Sequence, residues 1–172
     1  MTSRPGNESA TWEQRLHQLL PQYGHRNWIV VADSAYPSQS NPGIETIATG
    51  EDHLPLLERA LKLIAGQHHI RADVYLDSEL THVSEQDAPG VTELRGGIES
   101  LVGQRARTLY HEKIIARLDE SAKLFDILIL KSTLTIPYSS VFLELDCGYW
   151  SADAEKRLRV SIASKTTAAL GR

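Results

Sequence analysis

Hydrophobic residues recur along this chain in two patterns. Short apolar runs and apolar/polar alternation are typical of strands, whereas apolar spacings of three and four residues are typical of helices. The strand pattern occurs at residues 28–32, 44–48, 70–76, 107–110, 125–130 and 141–145. The helical pattern occurs at residues 11–23, 52–65, 91–101, 111–124 and 151–164. Strands that alternate with helices predict an α/β domain with a layered, largely parallel central sheet flanked by helices.

The ends of the predicted helices carry recognisable capping residues. Thr11 and Gln14 have the spacing of a capping box, so the first helix is expected to begin there. Gly24 is the expected left-handed residue after this helix, and Asp52 is the expected N-cap of the second helix. The pair Gly96-Gly97 interrupts the third helical pattern, because glycine is unfavourable in a helix interior.

Length and composition are those of one ordinary globular domain. The 172 residues include 41% hydrophobic and 23% charged residues, and a chain of this length can bury a sizeable core. We expect a flexible N-terminal arm at residues 1–10, a single domain at 11–150 and a C-terminal helical tail at 151–172.

The net charge and the cysteine content indicate which classes of binding partner and which cellular compartment to expect. A net charge of −4 gives no general electrostatic case for binding nucleic acid or an anionic membrane. Cys147 is the one cysteine of the sequence, which excludes an intrachain disulfide and suits a reducing cytosol. Residues 1–8 lack the apolar core of a signal peptide, and no apolar run approaches the roughly 20 residues that span a bilayer. We therefore expect a cytoplasmic protein.

Several widespread motifs are absent from the sequence. It contains no G-x-G-x-x-G after a strand, no P-loop and no G-x-S-x-G elbow, so dinucleotide, P-loop and α/β-hydrolase chemistry have no support. His68, His69 and His82 lie in polar surroundings without paired cysteines or an H-E-x-x-H spacing, so we interpret them as solvated side chains rather than metal ligands.

The strand at residues 28–32 is flanked by two candidate functional side chains. Asp33 follows it directly, and ligands bind at the carboxyl ends of strands in open α/β sheets. His25 precedes it, and a histidine exchanges protons near neutral pH. Each has a structural alternative, since His25 could be a capping or surface residue and Asp33 could only form a turn.

Three short segments together resemble the D-ribose pyranase / L-fucose mutarotase family. The sequence from Gly24-His25 through Trp28–Pro37 is similar to the family's G-H-x-D-x-I-V-I-A-D-A-x-x-P. Tyr110-His111-Glu112-Lys113 is similar to S-H-E-E of the ribose branch, and Pro137-Tyr138-Ser139-Ser140 is similar to P-Y-A-N or L-Y-G-N. The segments keep the family's order over residues 11–146.

The resemblance implies a fold, a reaction and a set of roles. It assigns His25 as the general acid/base, and it assigns Asp33, His111 and Tyr138 as sugar contacts, with Ser140 standing where the family has Asn. The implied enzyme is a cofactor-independent isomerase that needs no metal and interconverts anomers, or pyranose and furanose forms, of a free monosaccharide such as ribose or fucose. Family members form ring-like homo-oligomers, typically decamers, whose pockets are completed by a neighbouring subunit.

Other interpretations remain open at this point. His111 could simply begin a helix, and Tyr138 could be a core or interface aromatic residue. Glu144 and Asp146 share a strand face that is either solvated, intersubunit or sugar-binding. The alternative function is a non-catalytic monosaccharide-binding module linked to sugar uptake or regulation, and a further one is an assembly protein on the same scaffold.

Overall fold

The structure, a computed structural model, describes residues 11–170. Within that range five α-helices and six strands follow one another along the chain. The helices are α1 (Trp12–Leu19), α2 (His53–Ala65), α3 (Val91–Val102), α4 (His111–Ala122) and α5 (Ala152–Leu170). The strands are β1 (Trp28–Ala32), β2 (Ile44–Ala48), β3 (Ile70–Asp77), β4 (Arg107–Leu109), β5 (Ile127–Lys131) and β6 (Val141–Cys147). The expected arm at residues 1–10 lies outside the described part of the chain.

The strands form one sheet in the order β2-β5-β1-β6-β3-β4. β1 pairs in parallel with β5, as do β2 with β5 and β3 with β4. β6 runs antiparallel to both of its neighbours, β1 and β3. Five strands therefore point one way and β6 points the other way, which confirms the expectation of a layered, largely parallel sheet.

The core lies on both faces of this sheet. Alternate β1 residues point to opposite faces, so Ile29 and Val31 join a cluster with α1, α2 and α3, while Trp28 and Val30 join a second cluster with α4. All five residues of β1 are buried, as expected for a central strand covered on both sides.

The turn between α1 and β1 differs from its predicted form. The capping box of Thr11 and Gln14 is present, so α1 begins where predicted. The left-handed residue is Arg26, with φ of 78°, and not Gly24. The guanidinium of Arg26 lies over the Phe125 ring, 5.6 Å from the ring centre, which is a favourable cation–π contact.

The predictions about the ends and the interior of helices had different outcomes. Asp52 is the N-cap residue of α2, as predicted, but its side chain makes no capping hydrogen bond and instead accepts a hydrogen bond from Thr133 Oγ1 at 3.2 Å. α3 runs continuously through Gly96-Gly97. A Cβ atom on Gly97 would lie 2.4 Å from Leu54 Cδ1, so the absent side chain allows α3 to lie close against α2.

α5 follows the sheet as the predicted tail helix, starting at Ala152 rather than Ser151. Its apolar residues Leu158 and Val160 are 42% and 64% exposed. Among the described helices, none is long and apolar enough to cross a membrane.

Candidate functional site

Three polar side chains meet at one edge of the sheet. Asp33 follows β1 and Asp77 ends β3, so both lie at carboxyl ends of strands. Ser140 precedes β6, and the register pairs the first residue of that strand, Val141, with Val31 of β1 and with Leu76 of β3. Because β6 is antiparallel, its beginning lies between the ends of its two neighbours. This is the edge at which open α/β sheets bind ligands.

Asp33 and Ser140 are joined by two hydrogen bonds. The Ser140 hydroxyl donates to Asp33 Oδ1 at 3.0 Å and accepts the Asp33 backbone N–H at 3.3 Å. The second carboxylate oxygen, Oδ2, accepts the Ala35 N–H at 3.2 Å. Ser140 is buried whereas Asp33 is half-buried, so the carboxylate is fixed in direction while part of it remains accessible to a ligand.

His111 brings an imidazole to the same edge from the first residue of α4. Its Nδ1 atom lies 3.0 Å from Oδ2 of Asp77. Its backbone N–H is held by both carboxylate oxygens of Glu79, each at 3.0 Å. Glu79 therefore supplies an acceptor for one of the unpaired donors at the start of the helix, where negative charge is favourable.

Asp77 is 1% exposed, and this burial raises its pKa to about 6. The nearby His111 opposes the increase, while the charges of Glu79 and Asp33 add to it. A carboxyl group with this pKa can change protonation state close to neutral pH. The group lies directly behind the His111 ring, so its charge affects that ring.

Two aromatic rings confine the His111 imidazole. Tyr138 meets it edge-on with ring centres 5.7 Å apart, and Phe142 lies 6.5 Å away on another side. Tyr138 has φ of 56°, a left-handed conformation that is costly for a residue with a side chain. Tyr138 is also 43% exposed, so part of this residue is accessible to a ligand.

His25 lies at the opposite end of the sheet. Its Nδ1 atom is 2.7 Å from Oδ1 of Asp146, near the end of β6. From Trp28 to Asp33 an extended strand covers about 16 Å, and His25 lies beyond the Trp28 end. The structure thus brings Asp33, His111, Tyr138 and Ser140 together and leaves His25 outside this cluster of the same chain.

The His25 ring is held by a carboxylate but remains open to solvent. Asp146 also receives a hydrogen bond of 2.5 Å from Arg71. Burial favours a higher pKa for Asp146, but hydrogen bonds from the Cys147 N–H, Arg71 and His25 hold that pKa below its usual value. The His25 side chain is 61% exposed and lines an open cleft beside α4. It is therefore available to a partner molecule rather than to its own chain's Asp33.

Sequence reasoning missed Asp77, Glu79 and Phe142. Asp77 carried the same signal as Asp33, an acidic residue at the end of an apolar strand, but the predicted strand stopped one residue short of it. Glu79 and Phe142 carried no such signal, because their positions depend on how β6 and α4 pack.

Two histidines have structural roles. His69 was expected to be solvated, but its Nε2 lies 3.1 and 3.0 Å from the carbonyl oxygens of Leu20 and Tyr23, so it donates to the end of the α1 segment. His53 is buried behind the site with Nδ1 2.9 Å from Ser132 Oγ. Burial lowers the pKa of His53 to about 4, against the opposing effects of the Ser139 backbone and Asp33.

Metal ligation has no obvious place in the part of the chain that the structure describes. No group of three or more His, Cys, Asp or Glu side chains there is arranged to hold a metal ion. The site is a cluster of hydrogen-bonding and proton-exchanging side chains with aromatic walls.

The sequence profile of the RbsD / FucU transport protein family matches residues 7–147. The chain belongs to this family. The match covers both His25 and the cluster around Asp33, and it ends before α5. No curated protein sequence matches the chain significantly.

Solved structures of similar fold include several that carry the RbsD or FucU name or activity. RbsD of Bacillus subtilis, solved with D-ribose, is 18% identical with a TM-score of 0.53, covering 85% of this chain and 98% of its own. The fucose mutarotase of Streptococcus pneumoniae, solved with L-fucose, is 22% identical with a TM-score of 0.51, covering 85% and 98%. FucU of Bifidobacterium longum is 15% identical with a TM-score of 0.50, covering 77% and 93%. These likenesses show that the chain has the RbsD/FucU fold.

Proposed function

We propose that this protein is an isomerase that interconverts cyclic forms of a free monosaccharide. The observation that carries the proposal is the cluster of Asp33, Ser140, His111 and Tyr138 at the ligand-binding edge of the sheet in an RbsD/FucU family member. Proteins of the same fold have been solved with D-ribose and with L-fucose, so a sugar of this size is the natural substrate class. A cytoplasmic location remains part of the prediction.

The side chains of the cluster suit the recognition of a sugar. An ionised Asp33 is an acceptor for sugar hydroxyls, and its direction is set by Ser140 and the Ala35 N–H. Tyr138 offers a phenol and a ring face beside His111. The Ser140 hydroxyl is hydrogen-bonded to Asp33. It therefore assists sugar binding by orienting that carboxylate, whereas the longer side-chain amide of the family's Asn could bind the sugar directly.

The reaction requires two proton movements. A base removes the proton of the anomeric hydroxyl, the bond between the anomeric carbon and the ring oxygen breaks, and an acid protonates that oxygen. The open aldehyde then recloses by the reverse steps. We assign the proton donor to His25, whose exposed ring is oriented by Asp146.

His25 must then come from a neighbouring copy of the chain. It lies at the other end of the sheet from Asp33 in its own subunit, so one subunit alone cannot place both groups on one sugar. We therefore propose a homo-oligomer, such as the decameric ring of the family, in which the His25 end of one copy faces the Asp33 end of the next.

The direct test measures exchange between sugar forms by NMR saturation transfer, using a panel that includes ribose and fucose. We expect the wild-type protein to accelerate exchange and His25→Ala to lose about 10²–10⁴-fold of that acceleration. His82→Ala is the matched control, because His82 is an exposed histidine that belongs neither to the cluster around Asp33 nor to the His25–Asp146 pair. Equal rates in wild type and His25→Ala would refute the role of His25.

A mixing experiment tests whether the site is shared. His25→Ala and Asp33→Ala proteins should each be inactive, but mixed oligomers, refolded together, should regain activity because some interfaces combine two intact halves. Activity that stays absent in verified mixed oligomers would mean that each copy needs both groups itself.

A non-catalytic sugar-binding module is the second candidate. One observation favours it: the cluster within one chain holds the sugar-binding groups, while the assigned proton donor lies elsewhere. Sugar-dependent thermal stabilisation without accelerated exchange, in protein shown to be assembled, would select this candidate.

A further inference from the structure

Asp77 is buried with a single hydrogen bond and needs an explanation. Its Oδ2 meets His111 Nδ1 at 3.0 Å, and its Oδ1 is buried without a partner among the residues that the structure describes. A carboxylate in such a place costs stability, because burial removes its hydration and only one bond replaces it. If this position only had to fill space in the core, an apolar side chain would be more stable, so the carboxylate of Asp77 is expected to have a functional role.

The His111 ring is constrained on every side that the described residues reach. Asp77 lies behind Nδ1, Glu79 holds the backbone N–H, and the rings of Tyr138 and Phe142 pack around the imidazole. An ionised carboxylate can only accept a hydrogen bond, so Nδ1 carries the proton. The other nitrogen, Nε2, is then the free proton acceptor of a neutral ring.

We infer that Asp77 is a positioning residue that makes His111 the second proton-transfer group of the site. This rests on the proposed isomerase function and adds to it the partner that His25 needs. His111 Nε2 takes the proton from the anomeric hydroxyl while His25 of the neighbouring copy gives one to the ring oxygen. The bond between the anomeric carbon and the ring oxygen breaks, a carbonyl forms, and reclosure returns both protons.

The carboxylate stabilises the imidazolium that this step produces. Charge develops on His111 as it gains a proton, and an ionised Asp77 in a buried position attracts that charge strongly. The titratable groups facing the pair are Asp33, Glu79, Tyr36 and Tyr138. The pKa of Asp77 is raised to about 6, so the negative charge that stabilises the imidazolium is present above that pH and is lost as the pH falls through it.

The variant Asp77→Asn tests this inference, with Asp73→Asn as its matched control on the same strand. We expect Asp77→Asn to lower the exchange rate at saturating sugar by about 10–100-fold, with sugar affinity changed by less than about threefold. The pH profile of this variant should differ from that of the wild type, because the carboxyl group whose pKa is raised to about 6 is no longer present. Asp73→Asn should behave as wild type.

A double variant separates positioning from other effects. His111→Ala should lose at least as much rate as Asp77→Asn, and the combination should lose no more than His111→Ala alone, because Asp77 acts through that ring. The inference would be overturned if the rate losses of the two single variants multiplied in the double variant. A wild-type rate and pH profile in Asp77→Asn would also overturn it.

The imidazole tautomer gives a readout that does not depend on activity. In wild-type protein with ¹⁵N-labelled histidine, the His111 signals, identified by their absence in His111→Gln, should show a protonated Nδ1 and an unprotonated Nε2 at pH 8. A ring protonated on Nε2 would overturn the inference even if Asp77→Asn failed to fold. Absence of sugar exchange by wild type, with the expected tautomer present, would instead count against the proposed function.

Discussion

Tyr138 combines an unfavourable backbone conformation with a ring position beside His111. Its φ of 56° is a conformation that L side chains adopt at a cost of order 1–3 kcal/mol. In this conformation the ring lies edge-on to His111, and the residue is 43% exposed. A more relaxed backbone would point this ring elsewhere, so stability is given up for placement.

Replacing Tyr138 should separate these two effects. Tyr138→Gly relieves the backbone, because glycine adopts positive φ freely, and it removes a half-exposed ring. We expect unfolding free energy within about 1 kcal/mol of wild type and sugar exchange lowered by about tenfold or more. Thermal unfolding at fixed protein concentration and saturation-transfer NMR give the two values. Tyr138→Phe, which keeps ring and strain, is the control, and a large stability loss in Tyr138→Gly alone would contradict the strain argument.

The buried His53 should make stability depend on pH. Its folded pKa is lowered to about 4, against an unfolded value near 6.5. Above pH 6.5 both states are neutral and the stability is complete. As pH falls from about 6.5 to about 4 the unfolded state takes up the proton first, so stability is lost over that range, by at most about 3 kcal/mol. The raised pKa of Asp77 has the opposite effect, because the folded state binds that proton more tightly and gains stability as pH falls. The effect of His53 is therefore measured as the difference in stability between the wild type and a His53 variant.

His53→Gln is the variant that isolates this effect. The gap in thermal midpoint between wild type and His53→Gln should shrink as pH falls from 7 to 4, with the exposed His82→Gln as control. A gap that is constant with pH would mean that the pKa of His53 is the same in the folded and unfolded states, and would contradict the lowered folded value.

At the scale of elements, α3 shows why a pattern of residues can mislead. Gly96-Gly97 predicted an interruption because glycine lowers helix propensity. The helix forms nonetheless, since Leu94 and Ile98 bury their side chains on the core and Gly97 lets Leu54 of α2 approach. Tertiary packing outweighs a local cost of about 1 kcal/mol per glycine.

The two glycines give a matched pair of substitutions. Gly96→Ala meets nothing within 4 Å and should raise the unfolding free energy by up to about 1 kcal/mol. Gly97→Ala should gain less or lose stability, because its Cβ would meet the Leu54 side chain. Thermal or denaturant unfolding of both variants checks the order, and equal gains would show that Leu54 moves aside without cost.

The strands could be predicted closely because each is a short apolar run with a clear period. β1 and β2 have their predicted bounds, while β5 begins two residues later than expected. The direction of β6 could not be predicted, since an apolar run has the same pattern whichever way it points. Asp33, His111, Tyr138 and Ser140 were predicted as site residues from their motifs. Asp77 joins them only because the register sets Leu76 beside Val141.

For the whole molecule, the separation of His25 from Asp33 was already implicit in the sequence. Both were assigned to one strand, and five extended residues keep its ends about 16 Å apart. A single antiparallel strand, β6, now links the two ends. The residue before this strand, Ser140, is hydrogen-bonded to Asp33, and Asp146 near the other end of the strand is hydrogen-bonded to His25. The chain therefore carries the two proposed halves of the site at opposite ends of its sheet.

This two-ended arrangement has a consequence for gene dosage. In a closed ring, a copy that lacks both His25 and Asp33 would inactivate two sites, the one it shares with each of its two neighbours. With random assembly, activity would then follow the square of the intact fraction, falling to about one quarter in an equal mixture. Self-contained sites would give a straight line. A defective allele of such a protein would be dominant-negative, because its product would inactivate sites that also need an intact chain. Selection against this allele would act even when a normal allele is present.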